Sequence, residues 1–550
     1  MKSIEQLRIG IDLDNTLILY DRVFLEAGRA LGLLPGQFEG GKVAVKEYLR
    51  GRDPTQEAWQ ELQGQVYGRW LHRATLMPGA SRFLIRCRLE GIPVEIVSHK
   101  TDYGHFDRTK TPLRQVALEW LEQNEFFDSD RFGLSFENIH FEDTRSEKAE
   151  TIGRLKLTHF VDDLQEMFEE SNFPLTVKKI LFAPGKGTTT VAQLGAVTKC
   201  ATWQQVSSVV FGKAEDARNE KASLDLARFL TGNSSIINCS LINRGGNSLV
   251  YKLDDERGKA YAMKKYPSSL DDTRDRLGAE TKAISFLRAN GILNVPRLIR
   301  EDSALNIAIF EWLEGEIVYF PNEIQLNEMA RFIMQVHELR TSAAAIDLPL
   351  ASEACLSGAE LFKQLVKRRQ KLREVEPSYL MLDKHLELVF DPLCDEVKNR
   401  AELLWPAPLH FDSELPIQYR TLSPSDFGFH NALISSDNQI SIIDFEYFGW
   451  DDPVKLISDF CWHPGMQLTE QLRKLWLAKT SGLFCDDKTF DSRLVALYPA
   501  YGLRWALIVL NKFLKKISVE DHEVSLTTVE KQLNKSAQLC STVRCYLNEN

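Results

Sequence analysis

The sequence has no long apolar run and no excess of positive charge. None of its segments approaches the roughly 18 consecutive apolar residues that predict a membrane-spanning helix. Its 67 basic residues are outnumbered by 77 acidic residues, which gives a net charge of −10. A nucleic-acid-binding protein is expected to carry a basic face instead. We therefore expect neither a membrane nor a nucleic acid among the partners of this chain.

Closely spaced cysteine pairs and a secretory signal pattern are lacking as well. The nine cysteines are scattered and odd in number, and none of them belongs to a C-x-x-C pair. The first residues, MKSIEQLRIGIDLD, lead directly into a strand-like segment and lack the charged-then-apolar layout of a signal peptide. We expect reduced, mostly buried thiols in a cytoplasmic protein.

The periodicity of apolar residues divides the chain into two parts, as its length of 550 residues leads one to expect. Short apolar segments at 8–11, 94–97, 158–161 and 178–182 alternate with helix-like segments, which predicts a parallel α/β sheet. Residues 20–80 are mostly helix-like and too long for a simple crossover, so we predict an inserted cap. Residues 184–198 are typical of a loop with a weak helix.

After residue 232 the pattern changes to strands around a glycine turn, followed mainly by helices. We predict a first domain at 1–205, a joining helix or linker at 206–232, and a second domain at 233–550.

The stretch DLDNT places two carboxylates, Asp12 and Asp14, at the end of the first strand-like run. Carboxylates this close repel each other unless a cation or a reaction needs them. The carboxyl edge of a parallel sheet is where ligands bind in open α/β folds, and Mg²⁺ prefers carboxylate oxygens. We predict that Asp12 is a nucleophile and that Asp14 is a general acid and base.

Three further signals follow later strand-like runs. Ser98 in PVEIVSHKT offers a hydroxyl for a phosphoryl oxygen, although a serine there is often only a helix cap. Lys148 in TRSEKAETI can neutralise phosphate, or it can be ordinary surface charge. Asp162 and Asp163 in LTHFVDDLQEMF can complete a Mg²⁺ site.

This order and spacing over residues 7–205 resembles the haloacid dehalogenase superfamily. The resemblance implies a Rossmann-like fold with a helical cap and a Mg²⁺-dependent phosphatase that forms an aspartyl-phosphate. It implies the following roles: nucleophile, Asp12; acid and base, Asp14; phosphate support, Thr16 and Ser98; charge neutralisation, Lys148; Mg²⁺ site, Asp12, Asp14, Asp162 and Asp163. Asn15 departs from the pattern, because many phosphatases of the family carry glycine there.

The segment SHKTDYGHFD adds His99, Lys100 and His105 beside this site. These side chains either contact a substrate or belong to a polar loop with capping histidines, and the sequence leaves both interpretations open.

A second constellation begins with NRGGNSLVYKL, in which Gly245 and Gly246 lie between strand-like runs. Such a turn lets backbone N–H groups approach a phosphate, although most such turns are plain hairpins. Lys264 follows on a strand in KAYAMKKYP, and Glu280 lies on a helix in RLGAETKAISFL. A strand lysine paired with a helix glutamate holds the phosphates of ATP in kinase folds.

The stretch LSPSDFGFHNALISSDNQISIIDFEYFGWDDP carries the strongest signal. Asp426 and Asn431 lie five positions apart, and a hairpin then leads to Asp444. Kinases use an aspartate as catalytic base, an asparagine five residues later on Mg²⁺, and a second metal-binding aspartate after the next hairpin. We predict these roles for the three residues.

Residues 235–520 resemble the aminoglycoside phosphotransferase and choline kinase-like family, as IDFEYFGWDDP and YGLRWALIVLNKF indicate. The resemblance implies a bilobal, protein-kinase-like α+β fold. It also implies ATP as co-substrate, with Lys264 and Glu280 at its phosphates, Asp426 as base, and Mg²⁺ on Asn431 and Asp444. Pro424 stands where many members carry histidine.

Together, the two constellations predict a bifunctional kinase and phosphatase. If both act on one metabolite at different hydroxyls, the product can be a sugar 1-phosphate for nucleotide activation, a logic that resembles bacterial heptose activation. Two alternatives stay open: an antibiotic phosphotransferase with an accessory phosphatase, and a kinase controlled by a non-catalytic domain that binds a phosphometabolite. The sequence leaves the acceptor and the oligomeric state open.

Overall fold

The computed structural model describes residues 7–52, 55–104, 110–184, 192–194, 196–211, 220–243, 248–267, 274–375, 379–514 and 522–549. The chain forms two compact units. The first comprises residues 1–241 with 267–273 and 302–306, and the second comprises 242–266, 274–301 and 307–550.

The first unit is built on a seven-stranded sheet, and it confirms the predicted parallel α/β architecture. The strands of the unit are β1 (Ile9–Ile11), β2 (Ile18–Leu19), β3 (Thr75–Leu76), β4 (Val94–His99), β5 (Ile139–Glu142), β6 (His159–Asp162), β7 (Lys178–Phe182), β8 (Ala192–Leu194) and β9 (Val197–Cys200). The sheet order is β5-β4-β1-β6-β7-β9-β8, and only the β8–β9 pair is antiparallel.

The helices of the first unit are α1 (Asp21–Ala30), α2 (Lys42–Arg52), α3 (Glu57–Tyr67), α4 (Ala80–Leu89), α5 (Leu113–Gln123), α6 (Arg145–Arg154), α7 (Trp203–Phe211) and α8 (Glu220–Thr231). Helices α1, α2 and α3 lie between the short paired strands β2 and β3, where the sequence predicts an inserted cap. Helix α8 lies within the predicted joining segment, whose residues 212–219 fall outside the described part of the chain.

Strand β1 lies in the middle of the parallel sheet, where the strand order reverses direction. Ile9 and Ile11 are fully buried, and Gly10 is needed because a β-carbon there would overlap the side chains of Leu157 and Phe160. Strands β4 and β6 flank β1 on either side and run parallel to it. Their carboxyl ends therefore meet at the crevice where open α/β sheets bind ligands.

The sequence does not predict two strands of this sheet, β5 and β9. Strand β5 is half-buried along its whole length, so IHFE carries no apolar run to mark it. Strand β9 contradicts the weak helix predicted at 184–198, because Val197 and Thr198 pair in parallel with Lys179 and Ile180 of β7. The short segment becomes a strand because a neighbouring strand supplies its hydrogen bonds.

From residue 236 onward the chain forms a five-stranded sheet followed by a mainly helical part. The strands are β10 (Ile236–Asn243), β11 (Leu249–Asp255), β12 (Ala260–Lys265), β13 (Leu298–Asp302), β14 (Ile307–Glu311), β15 (Glu316–Ile317), β16 (Thr421–Ser423), β17 (Ala432–Ile434), β18 (Ile440–Ile442) and β19 (Gly449–Asp451). All of them belong to the second unit except residues 236–241 and Asp302, which are grouped with the first. The large sheet has the order β10-β11-β12-β14-β13. Strands β17 and β18 form the predicted hairpin.

The helices of the second unit are α9 (Arg276–Ala289), α10 (Glu323–Glu338), α11 (Gly358–Arg373), α12 (Leu380–His385), α13 (Asp391–Leu404), α14 (Pro453–Trp462), α15 (Glu470–Leu483), α16 (Phe490–Ile508) and α17 (His522–Glu549). Among the described residues, Phe490–Leu514 alone is long and apolar enough to cross a membrane. Because 72% of its most apolar window is buried inside the protein, it has the character of a core helix. Helix α16 packs against α13, α14 and α17.

Candidate active sites

The first unit brings its acidic residues together around one buried lysine. Asp12 follows β1, Asp162 ends β6, and Asp163 follows it, and carboxylate oxygens of the three lie within 4.8 Å of one another. Lys148 Nζ donates to Asp12 Oδ1 at 2.6 Å and to Asp162 Oδ2 at 2.7 Å. The ends of β1 and β6, together with helix α6, thus place Asp12, Lys148, Asp162 and Asp163 in one cluster.

Helix α6 positions Lys148 through a well-formed first turn. The Thr144 hydroxyl accepts a hydrogen bond from the Glu147 backbone N–H, and the Glu147 carboxylate accepts one from Thr144 in return. This capping box fixes the start of the helix. The side chain of Lys148 is 3% exposed, so its ammonium group is held in the cluster rather than in solvent.

The charges of this cluster do not balance. Burial, together with the carboxylates of Asp162, Asp163 and Asp14, raises the pKa of Asp12 well above its usual value, against the opposing effect of Lys148. Burial and the neighbouring Asp162 raise the pKa of Asp163 to about 7. Burial alone would lower the pKa of Lys148, but its two aspartate partners raise it. A hard divalent cation is the natural further counter-charge, and the carboxylate oxygens fit Mg²⁺.

Two buried hydroxyls of the first unit have no partner among the described residues. Thr16 Oγ1 and Ser98 Oγ are both inaccessible to solvent and make no hydrogen bond. Thr16 lies four residues after Asp12, and Ser98 lies near the carboxyl end of β4 beside β1. Buried polar groups without partners are rare, so both are free to donate to the oxygens of a phosphoryl group.

Asp14 is held by two side chains whose roles the sequence left open or missed. Lys100 Nζ lies 2.8 Å from Asp14 Oδ2, and the Tyr20 hydroxyl donates to Asp14 Oδ1. Lys100 is therefore a site residue, while the ring of His99 contacts the backbone oxygen of Asp143 instead. His105, the third residue of the SHKTDYGHFD segment considered above, lies outside the described residues.

The second unit also centres its acids on one buried lysine. Lys264 Nζ, on β12, donates to Glu280 Oε2 at 2.6 Å and Asp444 Oδ1 at 2.7 Å, and it lies 3.1 Å from Glu446 Oε2. The predicted Lys264–Glu280 pair is present. Glu446 went unassigned, although it lies two positions after Asp444, a spacing that could have singled it out. The Tyr266 hydroxyl donates to Glu280 as well.

A single hairpin carries the two predicted metal ligands of this unit. Asn431 directly precedes β17, and Asp444 lies two residues after β18. The backbone oxygen of Asn431 accepts a hydrogen bond from the Ile443 N–H at 2.9 Å, so both residues lie at the open end of the hairpin. Asp444 adopts a left-handed backbone with φ of 69°, which is unusual for a residue other than glycine. Strained backbone of this kind clusters at functional sites.

The pKa of Asp444 is raised to about 6 by burial and by Glu280 and Glu446, against the opposing effect of Lys264. Carboxylate oxygens of Glu280, Asp444 and Glu446 lie within 4.8 Å of one another. Together with the amide oxygen of Asn431, this oxygen-rich set fits Mg²⁺.

Asp426 lies in the loop between β16 and β17, away from the acidic cluster and beside a histidine. His430 Nε2 donates to Asp426 Oδ1 at 3.0 Å, and Asn431 Nδ2 donates to the Asp426 backbone oxygen at 2.9 Å. Burial would raise the pKa of Asp426, but these neighbours lower it to about 2. The carboxylate is therefore ionised at neutral pH, which is the form that a general base requires.

His430 is itself held in an aromatic stack. Its ring lies parallel to that of His463, with centroids 3.9 Å apart, and His463 meets the edge of Trp505 at 4.4 Å. A β-carbon at Gly428 would overlap the His430 ring, so the glycine makes room for it. Sequence reasoning assigned neither histidine, although His430 directly precedes Asn431. Gly245 and Gly246, predicted to bind ATP, lie outside the described residues.

Known proteins resemble part of this chain. No curated protein matches the chain. Among solved structures, a spectinomycin phosphotransferase is 13% identical, with 60% of this chain and 99% of that chain covered and a TM-score of 0.44. An ethanolamine kinase of Plasmodium vivax is 15% identical, with 58% of this chain and 92% of that chain covered and a TM-score of 0.40. A choline kinase of Streptococcus pneumoniae is also 15% identical, with 58% of this chain and 98% of that chain covered and a TM-score of 0.40. Residues 238–483 match the model of the phosphotransferase enzyme family, and this part of the chain has its kinase-like fold.

Proposed function

We propose that the chain is a bifunctional enzyme, in which the second unit phosphorylates a small-molecule hydroxyl with ATP and the first unit hydrolyses a phosphate monoester. One observation carries the proposal: in each unit a buried lysine and several carboxylates converge on a single point. The family match of residues 238–483 supports the kinase activity. The phosphatase activity depends on the geometry of the first unit and on its resemblance to haloacid dehalogenase-like phosphatases.

In the kinase reaction, Asp426 accepts the proton of the acceptor hydroxyl while that oxygen forms a bond to the γ-phosphorus of ATP. The bond from this phosphorus to the bridging oxygen breaks, leaving ADP and a phosphate ester. Lys264, oriented by Glu280, binds ATP phosphate oxygens. Asn431 and Asp444 would hold Mg²⁺, which would neutralise phosphate charge.

In the phosphatase reaction, a carboxylate oxygen of Asp12 attacks phosphorus, and the bond to the ester oxygen breaks as Asp14 donates a proton to it. Water then attacks phosphorus while Asp14 takes a proton, which releases phosphate and restores Asp12. Thr16 and Ser98 donate to phosphoryl oxygens, and Lys148 balances their charge. Asp12, Asp162 and Asp163 would hold Mg²⁺, which would offset phosphoryl charge.

The acceptor of the kinase is proposed to be a sugar or sugar phosphate. Three carboxylates near the Asp426 loop are already neutralised: Lys455, which also donates to Ser425 Oγ, pairs with Asp451, and Arg504 pairs with both Asp459 and Glu353. A cationic drug would need free carboxylates, so these pairs do not favour the antibiotic alternative. Two enzymes acting at different hydroxyls of one metabolite would move its phosphate, for example to give a sugar 1-phosphate.

The experiment is a substrate screen on the full chain that records ATP consumption and phosphate release separately. Acceptors include sugars, sugar phosphates, choline and aminoglycosides, and phosphatase substrates include sugar phosphates and p-nitrophenyl phosphate. We expect Asp426→Ala to abolish only acceptor-dependent ATP consumption and Asp12→Asn to abolish only phosphate release from esters.

The two variants are controls for each other because each leaves the other site intact. ATP consumption that survives Asp426→Ala contradicts the kinase assignment. Phosphate release that survives Asp12→Asn contradicts the aspartyl-phosphate route, and a first unit that binds phosphate esters without hydrolysing them supports the regulatory alternative.

A further inference from the structure

Lys42, the first residue of α2, carries a positive charge beside the proposed phosphatase site. Its Nζ donates to Asn15 Oδ1 at 2.8 Å and to the Tyr67 hydroxyl at 3.0 Å. It also lies 5.7 Å from the ring centroids of both Phe24 and Tyr67. All these partners are neutral. The nearby Asp21 carboxylate accepts from the backbone N–H of Lys42 instead.

Lys42 differs in this respect from the other two lysines of the site. Lys148 is neutralised by two aspartates, and Lys100 is neutralised by Asp14. Within the part of the chain that the structure describes, no carboxylate oxygen lies within ion-pair distance of Lys42 Nζ. The ammonium group therefore retains the capacity to bind an anion.

The position of Lys42 places this capacity next to the reacting groups. Asn15, the residue that Lys42 contacts, directly follows Asp14 and has a left-handed backbone with φ of 60°. The charge of Lys42 is also felt by Asp163, whose pKa it lowers against the larger opposing effect of burial. Lys42 and Tyr67 both belong to the helices inserted between β2 and β3, whereas Lys148 comes from α6 beside the sheet.

We propose that Lys42 and Tyr67 bind a second anionic group on the phosphatase substrate, which is thereby a bisphosphate or a phosphorylated carboxylic acid. The inference rests on the proposed phosphatase function. Lys148, Thr16 and Ser98 serve the phosphoryl group that is removed, and Lys42 with Tyr67 serves the acidic group that remains. An ammonium and a phenol hydroxyl are both donors, which suits a phosphate or carboxylate oxygen.

This assignment gives the two proposed activities an order. A kinase that acts on a phosphate monoester produces a bisphosphate, with one phosphate at the new position and one at the old. A site that recognises two anionic groups selects that product over the monoester from which it was made. The substrate of the first unit is therefore supplied by a phosphorylation of an existing phosphate ester, the class of reaction proposed for the second unit.

The test compares two hydrolysis-resistant probes, propylphosphonate and propane-1,3-bisphosphonate, as competitive inhibitors of p-nitrophenyl phosphate hydrolysis by the full chain. We expect the bisphosphonate to bind about 10- to 100-fold more tightly than the monophosphonate, as one charge-assisted contact predicts. Lys42→Met should remove that advantage, so that the inhibition constants of the two probes, each measured with the same variant, become nearly equal. Tyr67→Phe should reduce the advantage in part.

Lys46→Met is the matched control, because Lys46 lies one turn further along α2 and stacks on Trp59. It should keep the preference for the bisphosphonate. Equal binding of both probes by the wild-type protein overturns the inference, as does a Lys42→Met variant that weakens both probes equally, since Lys42 would then serve the reacting phosphoryl group. If p-nitrophenyl phosphate is not hydrolysed, the proposed function fails, and calorimetric binding of the same two probes still decides the role of Lys42.

Discussion

The two units use the same components in different arrangements. In the first unit the proposed nucleophile, Asp12, is itself a member of the acidic cluster, and burial and its acidic neighbours raise its pKa. It can act as a nucleophile only when a counter-charge keeps it ionised. In the second unit the proposed base, Asp426, stands apart from the cluster around Lys264 and is kept ionised by His430. A carboxylate that must bond to phosphorus has to lie at the phosphoryl group, whereas a base need only reach the acceptor hydroxyl.

The largest expected effect comes from removing one proposed metal-binding carboxylate in each unit. Asp162→Asn should lower phosphate release about a thousandfold, and Asp444→Asn should do the same to ATP consumption, because the cation supplies several kcal/mol of stabilisation. Steady-state assays of both activities on each variant check this. If either substitution affects both activities to the same extent, the two clusters are not independent sites.

Replacing the central lysine of either unit should lower the unfolding free energy of that unit. Lys148→Met leaves Asp12 and Asp162 buried without their partner, and we expect it to cost about 3–5 kcal/mol of unfolding free energy. Lys264→Met should act similarly on its own unit. Urea denaturation with and without Mg²⁺ measures the effect, and Mg²⁺ should restore part of the loss. A loss unchanged by Mg²⁺ would contradict the proposed metal sites.

His430 tests the separation of the base from the acidic cluster. His430→Ala removes the donor to Asp426 and should lower kcat for phosphoryl transfer about 10- to 100-fold, with the KM for ATP unchanged. His430→Gln keeps an N–H donor and should recover part of the rate. The phosphatase rate of the same chain is the internal control. Full kinase activity in His430→Ala would show that the contact has no role in catalysis.

The smallest expected effect is a difference in pH dependence between the two metal sites. A raised pKa means that the carboxyl binds a proton below that pH, and the proton competes with the cation. Mg²⁺ affinity should therefore rise with pH through about pH 7 in the first unit, where the pKa of Asp163 is about 7 and the pKa of Asp12 is raised as well. In the second unit it should level off above about pH 6.

Calorimetric titration of Mg²⁺ between pH 5 and pH 8 measures this difference, with an affinity change of up to about tenfold per pH unit below each plateau. Asp163→Asn should flatten the profile of the first unit only. Coincident plateaus for the two sites would contradict the assignment of the titrating groups.

Sequence reasoning reached the residues whose positions follow from regular structure. The carboxyl ends of parallel strands share one edge, so Asp12, Ser98 and Asp162 could be placed together from their strand-like contexts. Likewise, a loop and a hairpin place Asp426, Asn431 and Asp444 by local geometry alone. Their grouping needed no knowledge of how distant helices pack.

The remaining site residues depend on packing that a sequence does not encode locally. Lys42 reaches Asn15 only because α2 folds back over the loop after β1, and nothing in its own segment marks it. His463 belongs to the site because α14 ends beside the Asp426 loop and stacks the two imidazole rings. Strand β9 forms because the exposed edge of β7 offers it hydrogen bonds.

The hairpin between Asn431 and Asp444 has a consequence for motion. Both residues lie on one hydrogen-bonded hairpin, so rotation of the five-stranded sheet against the helical part leaves their separation unchanged. The contacts from Lys264 to Asp444 and to Glu446 join that sheet to the segment after the hairpin, and such rotation would break them. A spectroscopic label that reports the distance from Lys264 to Asp444 would therefore measure how far the sheet closes on the helical part. The separation of Asn431 and Asp444, the proposed metal ligands, would stay constant.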